Sequence, residues 1–140
     1  LYAAPAYLRR QPAPATPQDL AQHALIRFSG SKRRLVWRFT QGAQSQSIEP
    51  TARLNANNSF AVRDAAIDGL GIAQLPGLLA APAVAAGTLR PVLADWQLPS
   101  APVHAVFASA RYLTPKVRAF IDLAANAFAE ALPPAAPARA

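Results

Sequence analysis

The run Asn57-Asn58-Ser59-Phe60 is the stretch of this sequence best equipped to hold a small ligand. Two carboxamides and a hydroxyl stand directly ahead of Val62, Ala65, Ala66, Gly69 and Leu70, which recur at helical spacing. A helix that begins there presents unpaired backbone N–H groups and partial positive charge, and both favour a carboxylate or phosphate. The Asn and Ser side chains add donors, and Phe60 offers an apolar face. The same residues suit plain N-capping by Asn58 or Ser59, with Phe60 packed into the core. From residue types alone, capping is the simpler account.

Other chemistry finds little material. The chain has no cysteine, which excludes disulfides, thiol catalysis, Cys-based zinc sites and iron–sulfur ligation. Its seven acidic residues are scattered, and no Ser–His–Asp or paired-carboxylate motif is present, so no enzyme activity is expected. His23 follows a short predicted helix and His104 lies in an apolar run. Neither has further metal ligands at suitable spacing, so no metal and no cofactor are expected. Ser29-Gly30-Ser31-Lys32 resembles a phosphate-binding nest but lacks the glycine spacing of a nucleotide loop, and reads as a basic turn.

The net charge of +7 raises the question of nucleic acid. Twelve of the 14 basic residues are Arg, in a chain also rich in Ala and Pro, which is the signature of a GC-rich genome whatever the function. The one dense patch is Arg27, Lys32, Arg33, Arg34 and Arg38. Trp37 and Phe39 alternate with Val36 and Arg38, as a half-buried strand requires, so the patch reads as a solvated edge. With 140 residues, 52% hydrophobic, the chain suits one globular domain and is too apolar for disorder. It has no run of 18 apolar residues to span a membrane. It opens at Leu1 without methionine and reads as a piece of a longer protein.

The elements that must position these residues follow from periodicity and punctuation. Leu1 to Leu8 suggests a short strand ending in an irregular turn at Pro5. Thr16-Pro17-Gln18-Asp19 starts a short helix reaching about His23. Leu25 to Phe28 reads as a strand, and 35–40 and 46–54 as two strands joined around Gly42. After the helix that Gly69 ends, 71–75 forms a compact buried strand stopped by Pro76. A small helix spans 78–86 up to Gly87, and 89–93 forms another strand. Val103 to Ala108 is almost wholly apolar, as in a strand buried on both faces. Thr114-Pro115 then opens a long helix with a stripe of Val117, Phe120, Ile121, Ala124, Ala127, Phe128 and Leu132. A disordered tail is expected over 133–140. The fold class is α/β.

Several of these pieces occur together in one family. Ala3-Ala4-Pro5-Ala6-Tyr7-Leu8, Thr16-Pro17-Gln18-Asp19-Leu20 and Trp37-Arg38-Phe39 resemble the effector-binding domain of LysR-type transcriptional regulators. So do Asn57-Asn58-Ser59 followed by Asp68-Gly69-Leu70-Gly71-Ile72-Ala73-Gln74-Leu75-Pro76, and the stretch from Arg111 to Ile121. The resemblance covers about residues 1–132, in order.

The resemblance implies a periplasmic-binding-protein-like domain of two α/β subdomains around a small-molecule cleft. Residues 1–100 would be the second subdomain, nearly complete, and 101–132 the returning strand and helix of the first. It implies a cytoplasmic bacterial regulator that forms a homodimer or homotetramer. DNA would be reached only through an N-terminal helix-turn-helix absent from this chain. A small effector, anionic by the helix-terminus argument, would lie between subdomains and meet Asn57, Asn58, Ser59 and Phe60. Tyr2, where the chain crosses between subdomains, would line the hinge side, or else pack as an ordinary strand aromatic. No membrane role is implied. The alternatives are one lobe of a periplasmic solute-binding protein, with nearly the same fold, and a basic nucleic-acid-binding module.

Overall fold

The computed structural model describes residues 1–29, 36–100, 103–106 and 114–131. Leu1–Pro99 is one compact unit, and the last helix belongs to a second, Ser100–Pro137.

The first unit opens with strand β1 (Tyr2–Ala3) and passes at once into helix α1 (Pro5–Arg10). This corrects the strand expected over residues 1–8. Proline sets the helical φ and lacks an N–H that the first turn would leave unpaired, so Pro5 starts a helix there. Arg9 and Arg10 complement the negative end, and Tyr7 is buried. A 3-10 helix follows (Pro17–Gln22), where the α-type helix was expected. Its start is held by Asp19, whose Oδ2 accepts the backbone N–H of Thr16 at 2.8 Å and of Ala15 at 3.1 Å.

Strand β2 (Leu25–Phe28) leads to a separate antiparallel pair, β3 (Trp37–Gln41) and β4 (Gln44–Ile48). Gly42 takes φ +56° in the two-residue turn between them, a value the mirror-image hairpin turns need at their first central position. The strand expected over 46–54 is two strands in two sheets. Glu49-Pro50-Thr51 separates β4 from β5 (Ala52–Ala56), because Pro50 cannot donate to a ladder. Helix α2 (Ser59–Ile67), β6 (Ile72–Ala73), helix α3 (Gly77–Ala85) and β7 (Arg90–Pro91) complete the unit.

The main sheet has the order β5-β2-β6-β1-β7. Its β5, β2 and β6 run parallel, while β1 is antiparallel to both neighbours. Adjacent residues of a strand point to opposite faces, so each central strand feeds two cores. Ile26 and Ala73 pack with Val62, Ala66, Ala80 and Leu89 on the α2–α3 side. Leu25 and Ile72 pack with Tyr7, Leu20, Trp37 and Phe39 on the side of α1 and the hairpin. Each large side chain so buried stabilises the fold by about 1.5–3 kcal/mol.

Both helices behind the sheet end alike. Gly69 N–H meets Ala66 O and Leu70 N–H meets Ala65 O, each at 3.1 Å; Gly87 N–H meets Val84 O at 3.0 Å and Thr88 N–H meets Ala83 O at 2.9 Å. The two glycines have φ of +74° and +72°, the left-handed stop expected of Gly69 and Gly87.

In the second unit, helix α4 (Pro115–Ala131) starts at Thr114, whose Oγ1 accepts Val117 N–H at 3.4 Å. Of the run expected as a buried strand, residues 103–106 are described. They form no strand, and Val103 and Val106 are 72% and 93% exposed. An apolar sequence becomes a strand only where neighbours supply its hydrogen bonds and cover its faces, and among the described residues, 103–106 have neither. Phe107, Ala108 and the expected tail lie outside the described residues.

Candidate ligand site at the strand ends

The parallel strands β2 and β5 end level at Phe28 and Ala56, and β6 ends at Ala73 beside Ile26. The chain turns back there into α2 and α3, and the turns border a half-open cavity of about 300 Å³. Phe28 from the end of β2, Ser59 and Val62 from α2, and Gln74, Leu75 and Pro76 after β6 line it. Trp37, packed mainly in the core across the sheet, supplies the remaining wall. Space outside the carboxyl ends of parallel strands is where open α/β sheets hold ligands, because helix N-termini and loops converge there.

Asn58 accepts Phe60 N–H through Oδ1 at 2.8 Å and Ala61 N–H at 3.4 Å, so it caps α2. Val62 N–H already donates to the Asn58 carbonyl at 3.1 Å. Ser59 is half-buried and reaches the cavity, whereas Asn57, Asn58 and Phe60 are exposed and outside its lining. Phe60 is 59% exposed rather than in the core, with the Arg63 guanidinium 5.2 Å from its ring centre. Arg63 also pairs with Asp64 at 2.8 Å. Tyr2, in β1 between Ala73 and Pro91, packs against the α2–α3 core and is not among the cavity walls.

Phe28, Trp37, Val62, Gln74, Leu75 and Pro76 were not singled out as site residues from sequence. For Phe28 and Gln74 a signal existed, since one ends a predicted strand and the other lies one residue from the end of another, on the side where ligands collect. For Trp37 none did, since only the packing of the hairpin brings it there.

Among the described residues the cavity lining holds no charged side chain; its polar residues beside Trp37 are Ser59 and Gln74. Trp37 Nε1 is buried and meets no acceptor among the described residues. Arg27 sits next to Phe28 but on the opposite face of β2, where its Nε donates to Asn55 Oδ1 at 2.7 Å.

A second hollow, of about 370 Å³, lies by Tyr7, Arg10, Arg53 and Gly69. Two of its polar groups are already engaged: Arg10 donates to Gly69 O at 2.7 Å, and the Tyr7 hydroxyl donates to Gln11 Oε1 at 3.2 Å and accepts Ala24 N–H at 3.1 Å. His23 Nδ1 stands 3.1 Å from the same hydroxyl. Burial pushes the Tyr7 phenol up and His23 down, with Asp19 opposing the latter. His104 is exposed rather than buried in a strand. Among the described residues no three His, Cys, Asp or Glu side chains gather as a metal site. Lys32, Arg33 and Arg34, with Gly30 and Ser31, lie outside the described residues.

The LysR substrate binding domain family matches residues 1–129. This chain belongs to that family. The regulatory domain of CrgA, a LysR-type transcriptional regulator from Neisseria meningitidis, superposes with a TM-score of 0.72 at 26% identity, covering 90% of this chain and 62% of that one. The regulatory domain of AphB from Vibrio vulnificus gives 0.67 at 27% identity, with 90% and 62% covered. In sequence, this LysR domain is 36% identical over 120 residues to the HTH-type transcriptional regulator PtxR of Pseudomonas aeruginosa, covering 86% of this chain and 38% of PtxR. It is 31% identical to an HTH-type transcriptional regulator of Xanthomonas campestris, covering 87% and 37%. The chain thus spans under two fifths of these relatives. The periplasmic-binding-protein-like α/β class expected from sequence is that of the LysR regulatory domain. Because these relatives are regulators, the solute-binding-lobe alternative is set aside. No helix among the described residues is long and apolar enough to cross a membrane.

Proposed function

We propose that this LysR domain is the ligand-sensing part of a bacterial, cytoplasmic transcriptional regulator and carries no catalytic activity. What supports the reading most directly is the cavity at the ends of β2 and β6, walled by Ser59, Val62, Gln74 and Leu75 and placed where an open α/β sheet receives a ligand. A small molecule there would favour one arrangement of the domain and shift a pre-existing equilibrium of a homodimer or homotetramer. Contact with DNA would be made by a helix-turn-helix outside this chain, as the names of the HTH-type relatives suggest. Residues 1–100 would act as one subdomain, and 101–132 would join a second.

Ser59 is the direct ligand contact in this reading. Asn58 acts through the cap that fixes Ser59, and Asn57, Phe60 and Tyr2 frame the approach from either side. The test is a thermal-shift screen of the full-length regulator against aromatic and aliphatic carboxylates, their neutral analogues, amino acids and sugar phosphates. A ligand at 100 times its dissociation constant raises stability by about 2.7 kcal/mol. A saturable shift abolished by Ser59→Leu is the expected result. A hit that Ser59→Leu leaves untouched places the sensing site elsewhere.

A further inference from the structure

We infer that the hollow beside Tyr7, Arg10, Arg53 and Gly69 is a second ligand site, which takes a small organic dianion carrying a phosphate or two carboxylates. It lies at the other end of the sheet from the cavity at Ser59. Ala24 stands ahead of β2, Arg53 near the start of β5, and Gly69 and Leu70 ahead of β6, so the hollow sits at the amino ends of the parallel strands.

The first observation is charge. Arg10 and Arg53 both line the hollow and both are exposed, so a ligand can reach them. Burial pushes the Tyr7 phenol up, while the Ala24 N–H and then the charges of Arg10 and Arg53 pull it down, so both cations are felt at one hydroxyl. All seven Asp and Glu side chains of the chain are among the described residues, and no ion pair among those residues joins one of them to Arg10 or Arg53. Asp68, next to Gly69 in the chain, is not among the walls. Two like charges facing one hollow repel, and a dianion between them removes the repulsion.

The second observation is backbone. Leu25 pairs with Ala52 and Ile26 with Leu54, so Arg53 is the extra residue of a bulge in β5. Bulges are rare between parallel strands, and they recur beside sites where one side chain has to be re-aimed. Arg10 is set differently: one N–H goes to Gly69 O at 2.7 Å, which fixes the guanidinium and leaves its other donors for a ligand. The carbonyl ends of α1 and α2 converge here and oppose an anion. Each carries about half a charge at most, against a full charge on each arginine. A hollow of about 370 Å³ has room for a short carbon body beside the anionic groups, and Leu70 and Ala24 give it apolar cover.

The test is a calorimetric titration of the full-length regulator with succinate and with glycerol phosphate at constant ionic strength, acetate being the singly charged control. At least one dianion should bind saturably and at least about tenfold tighter than acetate; the tighter of the two names the head group. Arg53→Gln should weaken it about tenfold or more. The melting temperature without ligand should not change, since the Arg53 side chain makes no hydrogen bond or ion pair among the described residues. Arg53→Lys should recover part of the loss. Arg90→Gln removes the same charge from β7, at the far edge of the sheet, and should leave binding unchanged, as should Ser59→Leu in the other cavity. Equal weakening by Arg53→Gln and Arg90→Gln would show only a diffuse attraction to a basic chain and overturn the site. Dianions no tighter than acetate, or binding lost on Ser59→Leu but kept on Arg53→Gln, would overturn it as well.

Discussion

Gly71 and Ala24 lie backbone against backbone: the residue after Gly71, Ile72, donates its N–H to the Ala24 carbonyl at 2.8 Å, and a Cβ on Gly71 would overlap that same oxygen. The contact sets the depth at which β6 enters the sheet beside β2, and therefore where Gln74 and Leu75 arrive at the cavity. No flexible side chain is available to yield, because the obstruction is main chain.

Gly71→Ala should therefore destabilise the domain by about 1–3 kcal/mol, toward the upper end, through overpacking and loss of the Ile72 bond. Gly77→Ala is the control, since a Cβ there meets nothing within 4 Å. It should be neutral or stabilise by up to about 1 kcal/mol. Urea midpoints of the two variants distinguish them, and equal midpoints would refute the close approach.

Asn58→Ala should cost about 1 kcal/mol by uncapping α2, whereas Asn58→Asp should retain the cap and gain from the helix dipole. Thermal melts at low and high salt check both. Salt should narrow the advantage of Asp over Asn and leave the Ala deficit in place.

Gly87→Ala should cost about 1–2 kcal/mol although a Cβ there also meets nothing within 4 Å, because φ is +72°. Gly87→Asn should recover part of the loss. A Gly87→Ala variant as stable as the parent would show that the left-handed stop of α3 is dispensable.

Phe39→Ala should cost about 3–5 kcal/mol, since the ring is fully buried between the hairpin and the sheet. Phe60→Ala should cost under about 1 kcal/mol, the scale of an exposed cation–π contact with Arg63. Chemical denaturation of the pair tests whether Phe60 is free of the core.

The stability of this domain should fall as the solution is acidified below the ordinary histidine range. Burial holds His23 below its usual value, with Asp19 partly opposing, so the unfolded chain takes up a proton there before the folded one does. The contribution is complete above the unfolded value of 6.5 and is lost as pH falls toward the lower folded value. Asp19, held low mainly by its bonds to Thr16, adds a second loss in more acidic solution. His23→Gln should flatten the first decline in melting temperature and leave the second.

Local signals were legible where one short segment carries both the signal and its consequence. Asn58 caps α2, Gly69 and Gly87 stop their helices, and the neighbours Leu25 and Ile26 supply opposite cores by alternation alone. Ala3 to Leu8 misled because apolar residues suit a strand or a helix equally, and Pro5 decided between them only as a helix start. Gln46 to Leu54 read as one strand because Pro50 tolerates an extended backbone. Its missing N–H matters only when β4 and β5 must pair in different sheets.

By itself the sequence determined the family, through ordered motifs, and the α/β class, through periodicity and punctuation, because both are encoded over a few neighbouring residues. The cavity was decided by tertiary structure alone. Phe28, Trp37, Ser59 and Gln74 lie far apart in the chain and meet only because β2 lies between β5 and β6 with the hairpin packed across the sheet. Tertiary structure also decided that Phe60 faces solvent. A residue type states which bonds a side chain can make. Which one it makes depends on the neighbours that packing brings within reach.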